Sequence, residues 1–140
     1  LMPLASLLTP NVPEAEILSG IKIETVDDMD RAANKICREA GCAVLVKGGH
    51  LDGNTKTDIL YADGQRVETF EALTVETRNT HGTGCTLSSA ITAHLATMAD
   101  AIRLAKTYLY KALEAGKDVE IGRGHGPVNH FFNPHPYYTK

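Results

Sequence analysis

Apolar residues after Thr25 recur at the separations that line one face of a helix: Val26, Met29, Ala33, Ile36, Cys37 and Ala40. Thr25 suits an N-cap with Asp28 three residues on, and Gly41 suits the stop. This periodicity puts Cys37 on the core-facing side. Upstream, "LASLLTPN" is a short apolar run closed by Pro10 and Asn11, which predicts a buried strand and then a loop. "PEAEILSG" predicts a short helix, with Pro13 in the first turn, Glu14 and Glu16 near the positive end and Gly20 at the stop. After Gly41, "CAVLVKGGH" is continuously apolar but too short for a helix. That pattern suits a strand buried on both faces of a parallel sheet, ending at Lys47, Gly48 and Gly49. Cys42 is expected in the core with Cys37.

The period then changes. "KTDILYADGQRVETFEA" alternates across Ile59 and Tyr61, turns at Asp63–Gly64 and resumes through Val67 and Phe70, which predicts a β-hairpin. Two helices follow. The first carries Leu87, Ala90, Ile91 and Leu95; the second carries Ile102, Ala105, Leu109 and Ala112 and stops near Gly116. A glycine-rich loop, "GRGHGPVN", and the tail "HFFNPHPYYTK" end the chain. Strand, helix, strand, hairpin and helices make an α/β protein without repeats or an evident linker, and the 140 residues fit one domain.

Charge and cysteine usage narrow the chemistry. A net charge of −3 gives no basic excess for nucleic acid or an anionic membrane. No apolar run approaches the roughly 20 residues of a membrane helix. Three cysteines without a CxxC pair indicate neither a disulfide framework nor a zinc site, so a reducing, cytoplasmic setting is expected.

The candidate chemistry centres on "NTHGTGCTLSSA", where Gly82, Thr83 and Gly84 precede Cys85 at the mouth of a helix. Unpaired N–H groups and a partial positive charge make such an end a natural anion site. The amides near Thr83, Gly84 and Cys85 could surround an oxyanion, and the same positive end would favour a Cys85 thiolate. The alternative is a tight loop followed by a small packing cysteine. The motif is neither a GxxxxGK[ST] loop nor a GxGxxG turn. Asn11 and Glu14 form an NxxE unit after the first strand. An amide and a carboxylate there could hold Mg²⁺ through water, or simply cap the helix. Lys47 ends a buried strand, where a lone cation is costly unless it emerges toward an anion.

Together these stretches resemble the hydroxymethylpyrimidine/phosphomethylpyrimidine kinases of thiamine synthesis, in the ribokinase-like superfamily. "LLTPNVPEAEIL", "VLVKGGH", "DILY", "NTHGTGCTLSSAI" and "GHGPVNHF" carry the resemblance, in the family's order. It implies the C-terminal part of a three-layer α/β/α fold, with residues 1–140 one portion of a single kinase domain whose preceding half is absent. It further implies Gly82, Thr83 and Gly84 as an anion hole and Cys85 as the catalytic general base. Asn11 and Glu14 would help to place Mg²⁺ and phosphate, and Lys47 would contact the phosphates of ATP. The implied substrate is hydroxymethylpyrimidine or its monophosphate, and the implied assembly is a homodimer. Two rival expectations are a pyridoxal/pyridoxine kinase and a non-catalytic nucleotide-binding unit. "HLATMADAIRLAK" departs from the family by joining its two helices with fewer residues.

Overall fold

The structure is a computed structural model that describes residues 4–48, 55–94 and 97–133. The chain divides into two compact units, Leu1–Thr74 and Val75–Lys140.

The first unit holds β1 (Leu7–Leu8), α1 (Val12–Ser19), α2 (Val26–Ala40), β2 (Ala43–Lys47), β3 (Thr55–Ala62) and β4 (Gln65–Leu73). Its sheet runs β1-β2-β3-β4. β1 pairs parallel to β2, with Leu7 opposite Ala43, whereas β3 and β4 join antiparallel. Both helices are closed at each end by local chemistry. Asn11 and Thr25 each form a reciprocal capping box, with Glu14 and Asp28 respectively, and Gly20 and Gly41 turn left-handed at the C-caps. Each cap contributes about 1 kcal/mol. Burial decides more: Met29 and Ile36 on α2 are sealed from solvent, and each fully buried side chain of that size stabilises by about 1.5–3 kcal/mol. They pack with Val44, Val46 and Ile59 into one core that includes Cys37.

The hairpin turn lies where Asp-Gly predicts it. Asp63 and Gly64 have φ of 52° and 71°, the two successive left-handed residues of a type I′ turn. Two expectations need correction. The first strand is two residues long and half-buried rather than a buried run. Among the described residues it is the outer strand of the sheet, and Pro10 has no N–H with which to extend the ladder. Cys42 is half-buried rather than core, because it precedes β2 instead of lying in it.

The second unit is built from α3 (Thr83–Ala93), α4 (Met98–Gly116) and the irregular segment after it. Leu87 of α3 is buried, as are Ala101, Ile102, Ala105 and Ala112 of α4. Thr97 caps α4 by accepting from the Asp100 amide. The predicted apolar position Leu95 lies outside the described residues. No described helix is long and apolar enough to cross a membrane.

Candidate active site

In the second unit the geometry starts at Gly82. Its φ of 86° is a left-handed N-cap conformation that side chains resist, which is why glycine stands there. The Gly82 carbonyl accepts the first intrahelical bond, from the Thr86 amide at 2.8 Å. No side chain caps α3. The sequence expects three free amides at this turn, and the structure leaves two. The Thr83 N–H turns back onto the Thr80 carbonyl at 3.3 Å, so Thr83 offers no open amide. Among the described residues the N–H groups of Gly84 and Cys85 have no partner. These are the orphan donors of a helix N-terminus, and they carry its partial positive charge.

Cys85 therefore sits in the first turn of α3, as expected, and its side chain is exposed. Beside it opens a crevice of about 550 Å³ lined by Cys85, Thr86, Ser89, His94, Tyr108 and His130. The crevice wall is ordered by aromatic packing. Tyr108 stacks on His130 with centroids 6.3 Å apart, and Phe132 tilts against Tyr108 at 5.1 Å. His81, adjacent to the loop, uses its backbone instead of a catalytic contact. Its N–H donates to the Gly126 carbonyl at 3.1 Å, and its carbonyl accepts from Val128 at 3.3 Å. Among the described residues no hydrogen bond joins the His81 ring to Cys85.

In the first unit, parallel pairing of β1 and β2 brings the two strand ends to the same edge. Asn11 bridges Lys47, and the Lys47 N–H donates to the Pro10 carbonyl at 2.9 Å. Asn11 and Lys47 are thus neighbours, as the parallel reading requires. Glu14 stands one turn into α1. Its Oε2 accepts the Asn11 N–H at 2.8 Å, and Asn11 Oδ1 accepts the Glu14 N–H at 2.9 Å. The NxxE unit is thus a helix cap in this structure. Capping occupies only one carboxylate oxygen, and Glu14 Oε1 remains. Mg²⁺ commonly takes one or two carboxylates and keeps several waters, so Asn11 and Glu14 fit the hydrated ion and not a direct protein cage. No cluster of three or more His, Cys, Asp or Glu suited to a metal occurs among the described residues. Lys47 is half-buried and makes no ion pair among them.

The exit from β2 is tightly held. The Gly48 N–H donates to the Thr57 carbonyl at 2.9 Å and to the buried Asp58 carboxylate at 3.1 Å. Asp58 and Gly48 thereby fix the strand end that carries Lys47. Sequence reasoning names Gly48 only as the end of the strand and passes over Asp58, because the contact joins residues ten positions apart. The other cysteines play no part here. Cys37 is buried, and burial pushes the Cys42 thiol above its ordinary value, with Cys37 nearby adding to the effect.

Comparison with solved structures places this architecture among the ribokinase-like kinases. Pyridoxal kinase from Staphylococcus aureus in complex with ADP superimposes with a TM-score of 0.85 at 34% identity, over 95% of this chain and 50% of that one. Phosphomethylpyrimidine kinase from Clostridium difficile 630 gives 0.63 at 41% identity, over 80% of this chain and 45% of the other. The model of the phosphomethylpyrimidine kinase family matches residues 1–129, and the chain belongs to that family. A hydroxymethylpyrimidine/phosphomethylpyrimidine kinase of Rhizobium meliloti is 47% identical over 135 residues, covering 94% of this chain and 50% of its own length. The chain spans half or less of the length of such curated relatives.

Proposed function

We propose that the chain is the C-terminal portion of a kinase that transfers the terminal phosphoryl group of ATP to hydroxymethylpyrimidine or its monophosphate in thiamine synthesis. The observation that carries this reading is the open first turn of α3. Two unpaired amides, those of Gly84 and Cys85, stand beside an exposed thiol in a chain of the phosphomethylpyrimidine kinase family.

In this reading the Gly84 and Cys85 N–H groups donate to the oxygens of the phosphoryl group in transit. Gly82 and Thr83 set the turn that aims them. A donor of this kind contributes about 3–4 kcal/mol to the transition state. With hydroxymethylpyrimidine as substrate, Cys85 Sγ accepts, as thiolate, the proton of the hydroxymethyl as its oxygen bonds to phosphorus and the bond to the leaving ADP oxygen breaks. With the monophosphate, an oxygen of its phosphate attacks instead and no hydroxymethyl proton is involved. Phosphoryl transfer passes through a loose transition state that asks little of the base, so a thiolate suffices where charge and placement are supplied. Lys47 provides a fixed positive charge for a nucleotide phosphate. Asn11 and Glu14 would hold Mg²⁺ through water, and when bound that ion neutralises charge on the phosphates. The resemblance also implies a cytoplasmic homodimer, which sedimentation of the full-length protein tests.

A second reading, a pyridoxal kinase, draws support from the higher TM-score against the Staphylococcus aureus pyridoxal kinase. The deciding experiment offers the full-length protein hydroxymethylpyrimidine, its monophosphate and pyridoxal in competition, with ATP and Mg²⁺. We expect kcat/KM to favour the pyrimidines. Phosphorylation of pyridoxal alone would move the assignment to the second reading. Calorimetric binding of ATP without turnover of any of the three would leave a nucleotide-binding protein without this activity.

A further inference from the structure

Asn79 lies three residues before the Gly82 N-cap and is buried, with 7% of its surface exposed. Its amide Nδ2 donates to two carbonyls at the far end of α4, Gly116 at 2.6 Å and Val119 at 2.7 Å. The Gly116 carbonyl is one of those that a helix C-terminus leaves without an internal partner, so the bond joins the end of one helix to the approach of the next. Asn79 Oδ1 presses against Gly126, where a Cβ would stand 1.9 Å from it. Two residues on, His81 is held on both sides of its peptide by Gly126 and Val128. The loop is thus fixed at residues 79 and 81 immediately before α3, a helix without a side-chain cap of its own.

We infer that Asn79 is a positioning residue for the Gly84 and Cys85 amides, and that Gly126 is glycine because it must leave room for Asn79. The inference rests on the kinase reading for its catalytic consequence but not for its geometry. Asn79 touches no reacting atom; it sets where α3 begins. Misplacement of about 1 Å is enough to cost about a hundredfold in rate.

The test uses the full-length protein with Asn79→Ala, Asn79→Asp, Gly126→Ala and the Asn79→Ala/Gly126→Ala double variant. Asn79→Asp keeps the shape but replaces the donor with an acceptor facing two carbonyls. In protein shown to be folded by near-UV circular dichroism, kcat should fall about ten- to a hundredfold, with KM for the pyrimidine little changed. Gly126→Ala should lose a similar factor alone, yet cost less than about threefold when added to Asn79→Ala, since the side chain it displaces is then gone. The amide chemical shifts of Gly84 and Cys85 should move in all the single variants. Should Asn79→Ala not fold, turnover and the Gly84 and Cys85 shifts of Gly126→Ala and Asn79→Asp decide the inference by themselves. Full turnover with unmoved Gly84 and Cys85 shifts would overturn the inference, as would a Gly126→Ala cost that is the same in both backgrounds. Shifts that move in a protein whose wild type phosphorylates nothing would count against the kinase reading alone.

Discussion

Replacing Gly48 with alanine tests how the strand end beneath Lys47 is held. A Cβ on residue 48 would stand 2.2 Å from the Thr57 carbonyl oxygen and 2.8 Å from Met29 Sδ, against an ordinary contact of at least 3.4 Å. The methionine can yield, but the carbonyl belongs to β3 and is bonded to the Gly48 N–H itself. The backbone at residue 48 must therefore move. Overpacking of this kind costs about 1–3 kcal/mol. Moving the strand end also weakens the bonds to Thr57 and to the Asp58 carboxylate, at about 0.5–1.5 kcal/mol for the first and about 1.5–3 kcal/mol for the second. The sum is about 3–7.5 kcal/mol. With a urea slope of about 1–3 kcal/mol per molar, the unfolding midpoint should drop by at least about 1 M. The measurement is urea unfolding followed by far-UV circular dichroism, with Gly41→Asn as the control. Gly41 is also glycine, but for its φ of 67° and with nothing within 4 Å of a Cβ. Asparagine tolerates that conformation, so the control should lose little. Equal midpoints for Gly48→Ala and wild type would refute the steric argument.

Three further outcomes are expected. Cys85→Ala in the full-length protein should lower turnover by about 10²–10⁴ while leaving ATP affinity nearly intact, and Cys85→Asp should retain more activity; full turnover in Cys85→Ala would make the thiol a bystander. Asn11→Ala should cost about 1 kcal/mol in urea unfolding through the lost cap, and should also raise the Mg²⁺ concentration needed for half-maximal turnover. An unchanged Mg²⁺ requirement would leave Asn11 a cap only. The Thr25 hydroxyl, then Arg31 and the Glu24 amide, draw the Asp28 carboxyl down from 3.8 to about 2. A depressed acid stabilises the fold above its unfolded pKa and loses that effect as the pH falls through the folded one. The stability gap between wild type and Asp28→Asn should therefore shrink from about pH 5 to about pH 2; a gap that does not change with pH would contradict the bonding around Asp28.

What could be read from the sequence was local. Thr25 with Asp28, Gly41, and Asp63 with Gly64 each act within a few residues, so their helix ends and turn lie where the chain predicts them. The placement of Cys85 in the first turn of α3 was legible for the same reason: a flexible pair of glycines followed by helical periodicity. The number of open amides was not, because the Thr83 N–H is satisfied by Thr80 through a turn that no side-chain pattern announces. Nor was the β1 length, since an apolar run does not reveal that Pro10 stops its ladder or that among the described residues it pairs on one side only. Asp58 holding Gly48 and Asn79 reaching Gly116 and Val119 are contacts between distant parts of the chain. Neither leaves a periodic trace. The glycines at 48 and 126 were the visible hint, and each marks a close approach whose partner only the fold supplies.

The bridge between Asn11 and Lys47 has a consequence for how the protein comes to be folded. The two residues meet only after the chain has passed through α1 and α2, whereas β3 and β4 meet across a two-residue turn. Closing the longer loop costs more chain entropy before any contact offsets it, and parallel pairing across helices is slow for that reason. The hairpin is expected to zip early and the Asn11–Lys47 edge to close late. A nascent or partly unfolded chain would then carry its hairpin but not the paired lysine, and would acquire this part of its chemistry only in the final steps of folding.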